Sequence, residues 1–242
     1  MKVILFGIIA LIYASVGFGG GSGYIAILSF FNYEPSSLRF IALCCNLIVV
    51  SGGIYHFIKH KIIDWKRVFP FVLLSVPAAF IGGTIQLDVT PFYLLLGITL
   101  FLAGVLVFVK PADRSEATKK PMWFHGILGA VIGLVSGLVG IGGGIFLSPI
   151  LHLSKWGSPK LIAATTSFFI LVNSLAGLAG QMQVKSHTNS LFDIWPLLIA
   201  VFIGGQIGSR LTVTKLTQTS VRKLTGLLVI FASIRMLIKL AI

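Results

Sequence analysis

Two glycine-rich breaks interrupt apolar stretches, one in each half of the chain. Val16–Gly21 reads V-G-F-G-G-G and Val139–Gly144 reads V-G-I-G-G-G, about half the chain length later. Glycine runs are costly inside a membrane helix, because they loosen the backbone and free its polar groups. Two such breaks at corresponding positions are typical of transporters that are built from repeats and bind substrate at the broken helices.

Composition sets the class of protein. Of the 242 residues, 56% are hydrophobic and 10% are charged, and the mean hydropathy is +1.01. A soluble domain carries roughly a quarter charged residues, so too few charges are present to cover a surface in water. The sequence therefore predicts an all-α, polytopic integral membrane protein in contact with membrane lipid.

The net charge of +13 raises the possibility of nucleic-acid binding. The basic residues instead cluster in short loops beside apolar spans, as the positive-inside rule requires, so no nucleic-acid partner is predicted. The acidic residues lie in or beside loops, which leaves no evident carboxylate proton relay within a span. Cys44 and Cys45 are adjacent and point apart on a helix, so we expect neither a disulfide nor a metal site, and no cofactor is predicted.

Eight apolar segments follow one another along the chain. They lie at about 3–31, 36–58, 66–86, 91–109, 122–153, 159–181, 191–209 and 220–241. The longest polar stretch, Lys110 to Pro121, lies between the two halves. These features predict a first membrane repeat over 1–110, a cytoplasmic linker over 111–121 and a second membrane repeat over 122–242.

The two broken segments allow two topologies. Each segment crosses the membrane as one broken span, giving eight crossings, or it enters and returns as a re-entrant hairpin followed by three spanning helices. The hairpin alternative places more of the basic residues on one side and makes the two repeats inverted. We favour hairpins and inverted repeats, and the eight-span alternative stays open.

Candidate binding residues lie at the breaks and in the helix after each. A triple glycine before a new helix leaves backbone N–H groups free at the positive end of the helix dipole, where an anion is a suitable acceptor. The polar residues of the following helices offer further neutral donors, unless they bond back to their own helix. The candidates are Gly19, Gly20, Gly21, Ser22 and Asn46 in the first half, and Gly142, Gly143, Gly144, Thr165, Thr166, Ser167 and Asn173 in the second. Gly126, Gly129, Gly133 and Gly137 have the spacing of helix-packing residues instead.

A rival motif is present at the first break. Gly20–Gly23 fits G-x-S-G, which resembles the nucleophile motif of rhomboid intramembrane proteases, with Ser22 as the nucleophile. Such an enzyme needs a histidine on another helix, and His56, the best-placed histidine, is expected too close to the membrane surface. The second break lacks the serine, so we expect no catalytic residue and no enzyme activity.

The motifs together resemble the TauE/SafE family of sulfite exporters and anion permeases, also grouped as toluene sulfonate uptake permeases. The resemblance rests on both glycine motifs, Ser148-Pro149, the run Ala163–Ser167 and Asp64-Trp65. It implies transport of a small sulfur-containing anion, such as sulfite or an organosulfonate, across the bacterial inner membrane. The first half departs from the pattern, because Cys45-Asn46 stands where the second half has Thr166-Ser167.

The predicted mechanism is alternating access between two inverted repeats, with the glycine breaks meeting near the membrane midplane. Asn46 and Ser167 are expected at matching places beside the breaks. An anion channel is the alternative, and the intramembrane protease is a weaker one. H⁺ and Na⁺ are the candidate coupling ions.

Overall fold

The computed structural model describes residues 1–15, 17–31, 33–109, 121–184 and 188–211, together with 226–227, 229–231, 233–234 and 236–237. The predicted linker, the loop after Arg210 and much of the last apolar segment therefore lie outside the described residues. The described part is helical, which confirms the predicted class. Its helices are α1 (Lys2–Ala14), α2 (Gly21–Leu28), α3 (Pro35–Lys59), α4 (Trp65–Thr84), α5 (Val89–Phe108), α6 (Met122–Val139), α7 (Gly144–Leu153), α8 (Pro159–Val184) and α9 (Thr188–Leu211), with a 3₁₀ turn at Ser29–Phe31.

Local sequence signals set several helix starts. Pro35 and Pro159 are the first residues of α3 and α8, where the missing N–H of proline has no helical partner to lose. Asp64 caps α4, because its carboxylate accepts a hydrogen bond from the Arg67 backbone N–H at 3.3 Å. These starts lie within a residue or two of the predicted segment boundaries.

Within the described residues, five helices are long and apolar enough to cross a membrane: α3, α4, α5, α6 and α8. Many of their large apolar side chains face outward, including Leu73 at 56% exposure and Leu102 at 56%. Trp65 and Trp123 are half-exposed or more at the starts of α4 and α6, as in the aromatic belts of membrane proteins. The chain is a multi-pass membrane protein.

Glycine permits backbone contact between α4 and α6. Added Cβ atoms at Gly129, Gly133 and Gly137 would meet the carbonyl oxygens of Phe71, Ser75 and Ala79, respectively. This regular progression confirms the predicted packing role of these glycines. It also shows that α4 and α6 run in the same direction.

Both broken segments turn back on themselves. Phe71 contacts His125 at the start of α6, with ring centroids 4.7 Å apart, and Trp156 just after α7, at 5.8 Å. In the first half, the Lys2 ammonium lies 3.8 Å from the Phe31 ring centroid, so the end of the α1–α2 segment returns to its beginning. The contacts thus agree with the hairpin alternative rather than with two broken crossings.

The packing pairs recur between the halves. Helix α4 packs beside α6 and α8, and α9 packs beside α1 and α3 in the corresponding places. Helices α3 and α8 cross in opposite directions, because the Gln181 amide donates to the Ser36 carbonyl at one end while His60 and Lys160 line one cavity at the other. These directions are those that inverted repeats require, and the repeat boundaries 1–110 and 122–242 stay a prediction.

Charge divides the two ends of the helix bundle. Most of the described Lys and Arg residues lie at the end where α3 finishes and α4 and α8 begin, which we call the basic end: Lys59, Lys61, Lys66, Arg67, Lys155, Lys160 and Arg210. The opposite end carries Lys2, Glu34 and Asp88. The positive-inside rule therefore assigns the basic end to the cytoplasm.

Candidate functional site

Left-handed glycines form both breaks. Gly20 (φ +90°) precedes α2 and Gly143 (φ +79°) precedes α7, and Gly142 (φ +83°) lies beside the latter. L-residues with a side chain rarely adopt these angles. The V-G-x-G-G-G pattern thus encodes two abrupt turns, each ending at the N-terminus of a short buried helix.

These N-termini carry unpaired donors. The first three N–H groups of a helix have no intrahelical partner, and neither Gly20 nor Gly143 supplies a side-chain cap. Within the described part of the chain, the N–H groups of Gly21, Ser22 and Gly23 have no acceptor outside α2, and those of Gly144 and Ile145 have none outside α7. Buried N–H groups at the positive end of a helix dipole favour an anion.

The two breaks meet at Asn46. A Cβ atom on Gly21 would lie 2.9 Å from the Ile141 carbonyl oxygen, so the first break contacts the second directly. The Asn46 side chain joins them, because its Nδ2 donates to the Ile141 oxygen at 2.9 Å and its Oδ1 lies against Gly19. Asn46 is fully buried, and its Oδ1 has no hydrogen-bond partner.

Ser167 makes the reciprocal connection from the second half. Its hydroxyl donates to the Gly17 carbonyl at 3.0 Å, so α8 is tied to the first break as α3 is tied to the second. The two contacts are not matched residue for residue. Ile170 lies as far along α8 from Pro159 as Asn46 lies along α3 from Pro35, and Ile170 also faces both Gly19 and Gly142. The structural counterpart of Asn46 is therefore Ile170, and the predicted match with Ser167 was wrong by nearly one turn.

The other predicted polar residues divide into two groups. Thr165 and Thr166 are fully buried and their hydroxyls are unpartnered, and the Thr166 methyl lies 3.0 Å from the Cβ position of Gly144. Asn173 instead donates to the Phe169 carbonyl of its own helix at 2.8 Å, as the back-bonding alternative anticipated, although its Oδ1 is unpartnered. Thr166 therefore lies at a break, whereas the hydrogen bond of Asn173 is local.

Ser22 is paired with a phenol. Its hydroxyl lies 3.2 Å from the Tyr13 hydroxyl, and the residue is 1% exposed. A serine protease would need a base at that position. The hydrogen bond explains why a buried serine is tolerated in the first turn of α2 without any catalytic role.

Sequence reasoning missed several residues of the site. The Ser174 Oγ lies 2.9 Å from the position that a Cβ atom on Gly142 would take. The Tyr24 hydroxyl oxygen lies 2.7 Å from the corresponding position on Gly20. Both hydroxyl oxygens are buried and have no hydrogen-bond partner. The same holds for the hydroxyl oxygen of Ser136, which lies beside Gly143. A single serine or tyrosine in an apolar helix does not by itself indicate a binding site. Whether its side chain reaches the break depends on how the helices pack against one another.

Arg39 was also missed. It lies within the predicted span 36–58, yet it is only 2% exposed, so the expectation that basic residues cluster in loops does not hold for it. The sequence pattern could have identified it, because a charged residue four positions inside an apolar helix is rare and usually has a function.

A cavity of about 260 Å³ leads from the basic end to the first break. His56, His60 and Lys160 line its mouth, and Gly17 and Ser167 lie at its inner end. Anions approaching from this side would therefore meet basic side chains first. Among the described residues, no cluster of three or more His, Cys, Asp or Glu could hold a metal ion.

The sequence profile of the family described as sulfite exporter TauE/SafE matches residues 3–236. The probable membrane transporter protein y4hK of Sinorhizobium fredii is 34% identical over 240 residues, which cover 97% of this chain and 96% of that protein. The probable membrane transporter protein YunE of Bacillus subtilis is 26% identical over 235 residues, 85% of each chain. A probable membrane transporter protein of Methanocaldococcus jannaschii is 28% identical over 201 residues, 77% of this chain and 73% of its own. No solved structure matches the chain.

Proposed function

Because this chain belongs to the sulfite exporter family TauE/SafE, whose members are membrane transporters and not enzymes, we propose that it is a secondary transporter of a small sulfur-containing anion. Sulfite and organosulfonates are the substrates that we propose. Family membership excludes the intramembrane protease hypothesis for Ser22.

The meeting of the two breaks at Asn46 carries this proposal. Two buried helix N-termini with unpaired N–H groups point toward a region where Asn46 and Ser174 offer further polar atoms. A sulfite or sulfonate group presents three oxygens that accept hydrogen bonds from such donors. We propose that Gly19, Gly20, Gly21, Asn46, Gly142, Gly143 and Gly144 form the binding site, with Ser22, Thr165, Thr166, Ser167 and Asn173 supporting it.

Neutral donors suit a transporter. A full ion pair in a dry site holds its partners tightly, because both charges have lost their hydration and neither finds another partner. Backbone N–H groups and amides stabilise an anion less strongly. An anion held by these groups binds without being trapped, so release on the other side of the membrane stays fast.

We propose that the two repeats, 1–110 and 122–242, move against each other during transport. The cavity leads from the cytoplasmic end to the first break, so this conformation is open toward the cytoplasm. Rearrangement of one repeat against the other would close the cavity and open the site to the opposite side.

Transport in proteoliposomes tests this function. Purified protein should move labelled sulfite, thiosulfate or an organosulfonate with a rate that saturates, and unlabelled anion inside should accelerate uptake by exchange. Carboxylates of similar size are the matched control and should compete weakly. Imposed H⁺ and Na⁺ gradients should then identify the coupling ion. A flux that rises linearly with concentration and shows no exchange would indicate an anion channel, and no flux of any sulfur anion would contradict the proposal.

A further inference from the structure

Arg39 is the one charged side chain that is buried among the residues whose side chains the structure describes. Its guanidinium donates to four carbonyl oxygens: Gly82 at 3.1 Å, Gly83 at 3.0 Å, Ile85 at 2.8 Å and Gly137 at 2.8 Å. No carboxylate is among these partners, and the Nε atom is buried without any acceptor. A cation in this setting is costly to bury, so its position calls for an explanation beyond packing.

The carbonyls that hold Arg39 belong to a rigid pair of helices. Gly82, Gly83 and Ile85 lie at the end of α4, and Gly137 lies near the end of α6, where carbonyl groups give the helices a partial negative charge. Helices α4 and α6 are in backbone contact along their length. Arg39 therefore ties α3 to the α4–α6 pair across the two halves of the chain.

The corresponding position in the second half is Ala163. A Cβ on Gly140 would touch the Cα of Arg39 at 2.7 Å, and a Cβ on Gly17 would touch the Cβ of Ala163 at 2.9 Å. Arg39 and Ala163 thus cover the first glycine of the two breaks in the same way. One half carries a long cation there and the other a methyl group.

The space around these two positions differs accordingly. At Ala163 the cavity runs from the basic end to Gly17, and Gly53 beside it has only Phe57 within contact distance of its Cβ position, at 3.8 Å. On the Arg39 side, the corresponding Gly177 packs against α4, where a Cβ on Gly83 would meet its carbonyl oxygen. The molecule is open beside the alanine and closed beside the arginine.

We propose that Arg39 is the gate of a second pathway, which leads from the glycine breaks to the side of the membrane opposite to the cytoplasmic cavity. Its four hydrogen bonds hold α3 against the α4–α6 pair, so this pathway stays shut while the cavity is open. When α3 separates from that pair, the guanidinium loses its carbonyl partners and lines the opened pathway as a positive charge. The proposal rests on the proposed function only in requiring that the protein alternates between two open states.

Thiol accessibility tests the gate without using any substrate. In a background with Cys44→Ser and Cys45→Ala, two reporters are introduced singly: Val50→Cys in the cavity wall and Leu43→Cys on the Arg39 side. A membrane-impermeant thiol reagent is applied to right-side-out and inside-out vesicles. We expect Val50→Cys to react from the cytoplasmic face and Leu43→Cys, which is fully buried, to be protected from both faces.

Arg39→Ala should raise the labelling rate of Leu43→Cys from the outer face by about tenfold or more, as expected for a shifted two-state equilibrium. Arg39→Gln, a milder change, should raise it less. Arg67→Ala is the matched control, because Arg67 lies at the basic end and contacts Trp156, and it should leave the labelling unchanged. Folding is checked by size-exclusion chromatography. Unchanged protection of Leu43→Cys in folded Arg39→Ala or Arg39→Gln would overturn the proposal.

The reciprocal variant supplies an independent arm. Ala163→Arg should fill the cavity and slow the labelling of Val50→Cys. In the double variant, Arg39→Ala with Ala163→Arg, Val50→Cys should become protected and Leu43→Cys should become reactive from the outer face. If Val50→Cys reacts as fast with Ala163→Arg as without it, the gate role of this position is wrong. Because no anion is added, failure of sulfite transport would contradict the proposed substrate and leave the gate intact.

Discussion

Asn46 and Ile170 face each other across the junction of the two glycine breaks, and this pair shows how one residue breaks the symmetry of the site. The Asn46 amide nitrogen has two N–H groups and donates one of them to the Ile141 carbonyl, so the other can donate to an anion, whereas the isoleucine offers only methyl groups. An anion at the junction would therefore have a polar wall on α3 and an apolar wall on α8. A molecule with an oxyanion group and a small apolar part would suit these two walls.

Replacing Asn46 tests the polar wall. Asn46→Leu should raise the half-saturation concentration for sulfite about 5- to 150-fold, because a lost buried hydrogen-bond partner costs about 1–3 kcal/mol. Ser51→Ala is the control in the same helix, since the Ser51 hydroxyl is exposed and bonds only to Ile48 of its own turn. Concentration-dependent uptake is measured for both variants in proteoliposomes with equal protein content. Equal affinity in Asn46→Leu and wild type would place the anion elsewhere.

Replacing Gly142 tests the break itself. Gly142 has φ +83°, and an added Cβ would lie 2.7 Å from Nδ2 of Asn46 and 2.9 Å from Oγ of Ser174. Gly142→Ala should therefore abolish uptake by straining the turn and displacing the polar side chains. Gly126→Ala is the matched control, because its Cβ would meet only the flexible end of Leu74 closely, at 3.2 Å. Uptake by Gly142→Ala at the wild-type rate would mean that the break does not form the site.

At the scale of helices, the sequence predicted which segments are helical better than how they face one another. The breaks, the prolines at Pro35 and Pro159 and the capping Asp64 are local signals, and the starts of α2, α3, α4, α7 and α8 follow from them. The rotation of one helix against another depends on distant contacts. For that reason the counterpart of Asn46 was placed at Ser167 rather than Ile170, and Ser174 and Tyr24 were missed.

The excess of Lys and Arg at the basic end predicts that this end faces the cytoplasm. Lys160 lies at the basic end, at the mouth of the cavity, and Asp88 directly precedes α5 at the opposite end. In a cysteine-free background, Asp88→Cys should react with an impermeant thiol reagent in intact cells, and Lys160→Cys should react only after the cells are opened. Labelling of Lys160→Cys from outside would reverse this orientation, and labelling of both from outside would contradict the helix directions.

At the scale of the whole molecule, the described helices of the two halves are alike in their packing pairs but differ in what they place over each break. Arg39 in one half and Ala163 in the other leave one side closed and the other open to the cytoplasm. The fold provides two similar halves around one junction, and single residues decide which side is open. Such an arrangement suits a carrier that exposes one site to each side in turn.

Equilibrium binding of labelled sulfite to the purified protein tests the central claim most directly, because that claim is that both breaks form a single anion site. Wild type, Asn46→Leu and Gly142→Ala are compared with Ser51→Ala and Gly126→Ala as controls. We predict one saturable site per chain in wild type and both controls, weakened in Asn46→Leu and absent in Gly142→Ala. Two independent sites per chain, or unchanged binding in both site variants, would contradict it.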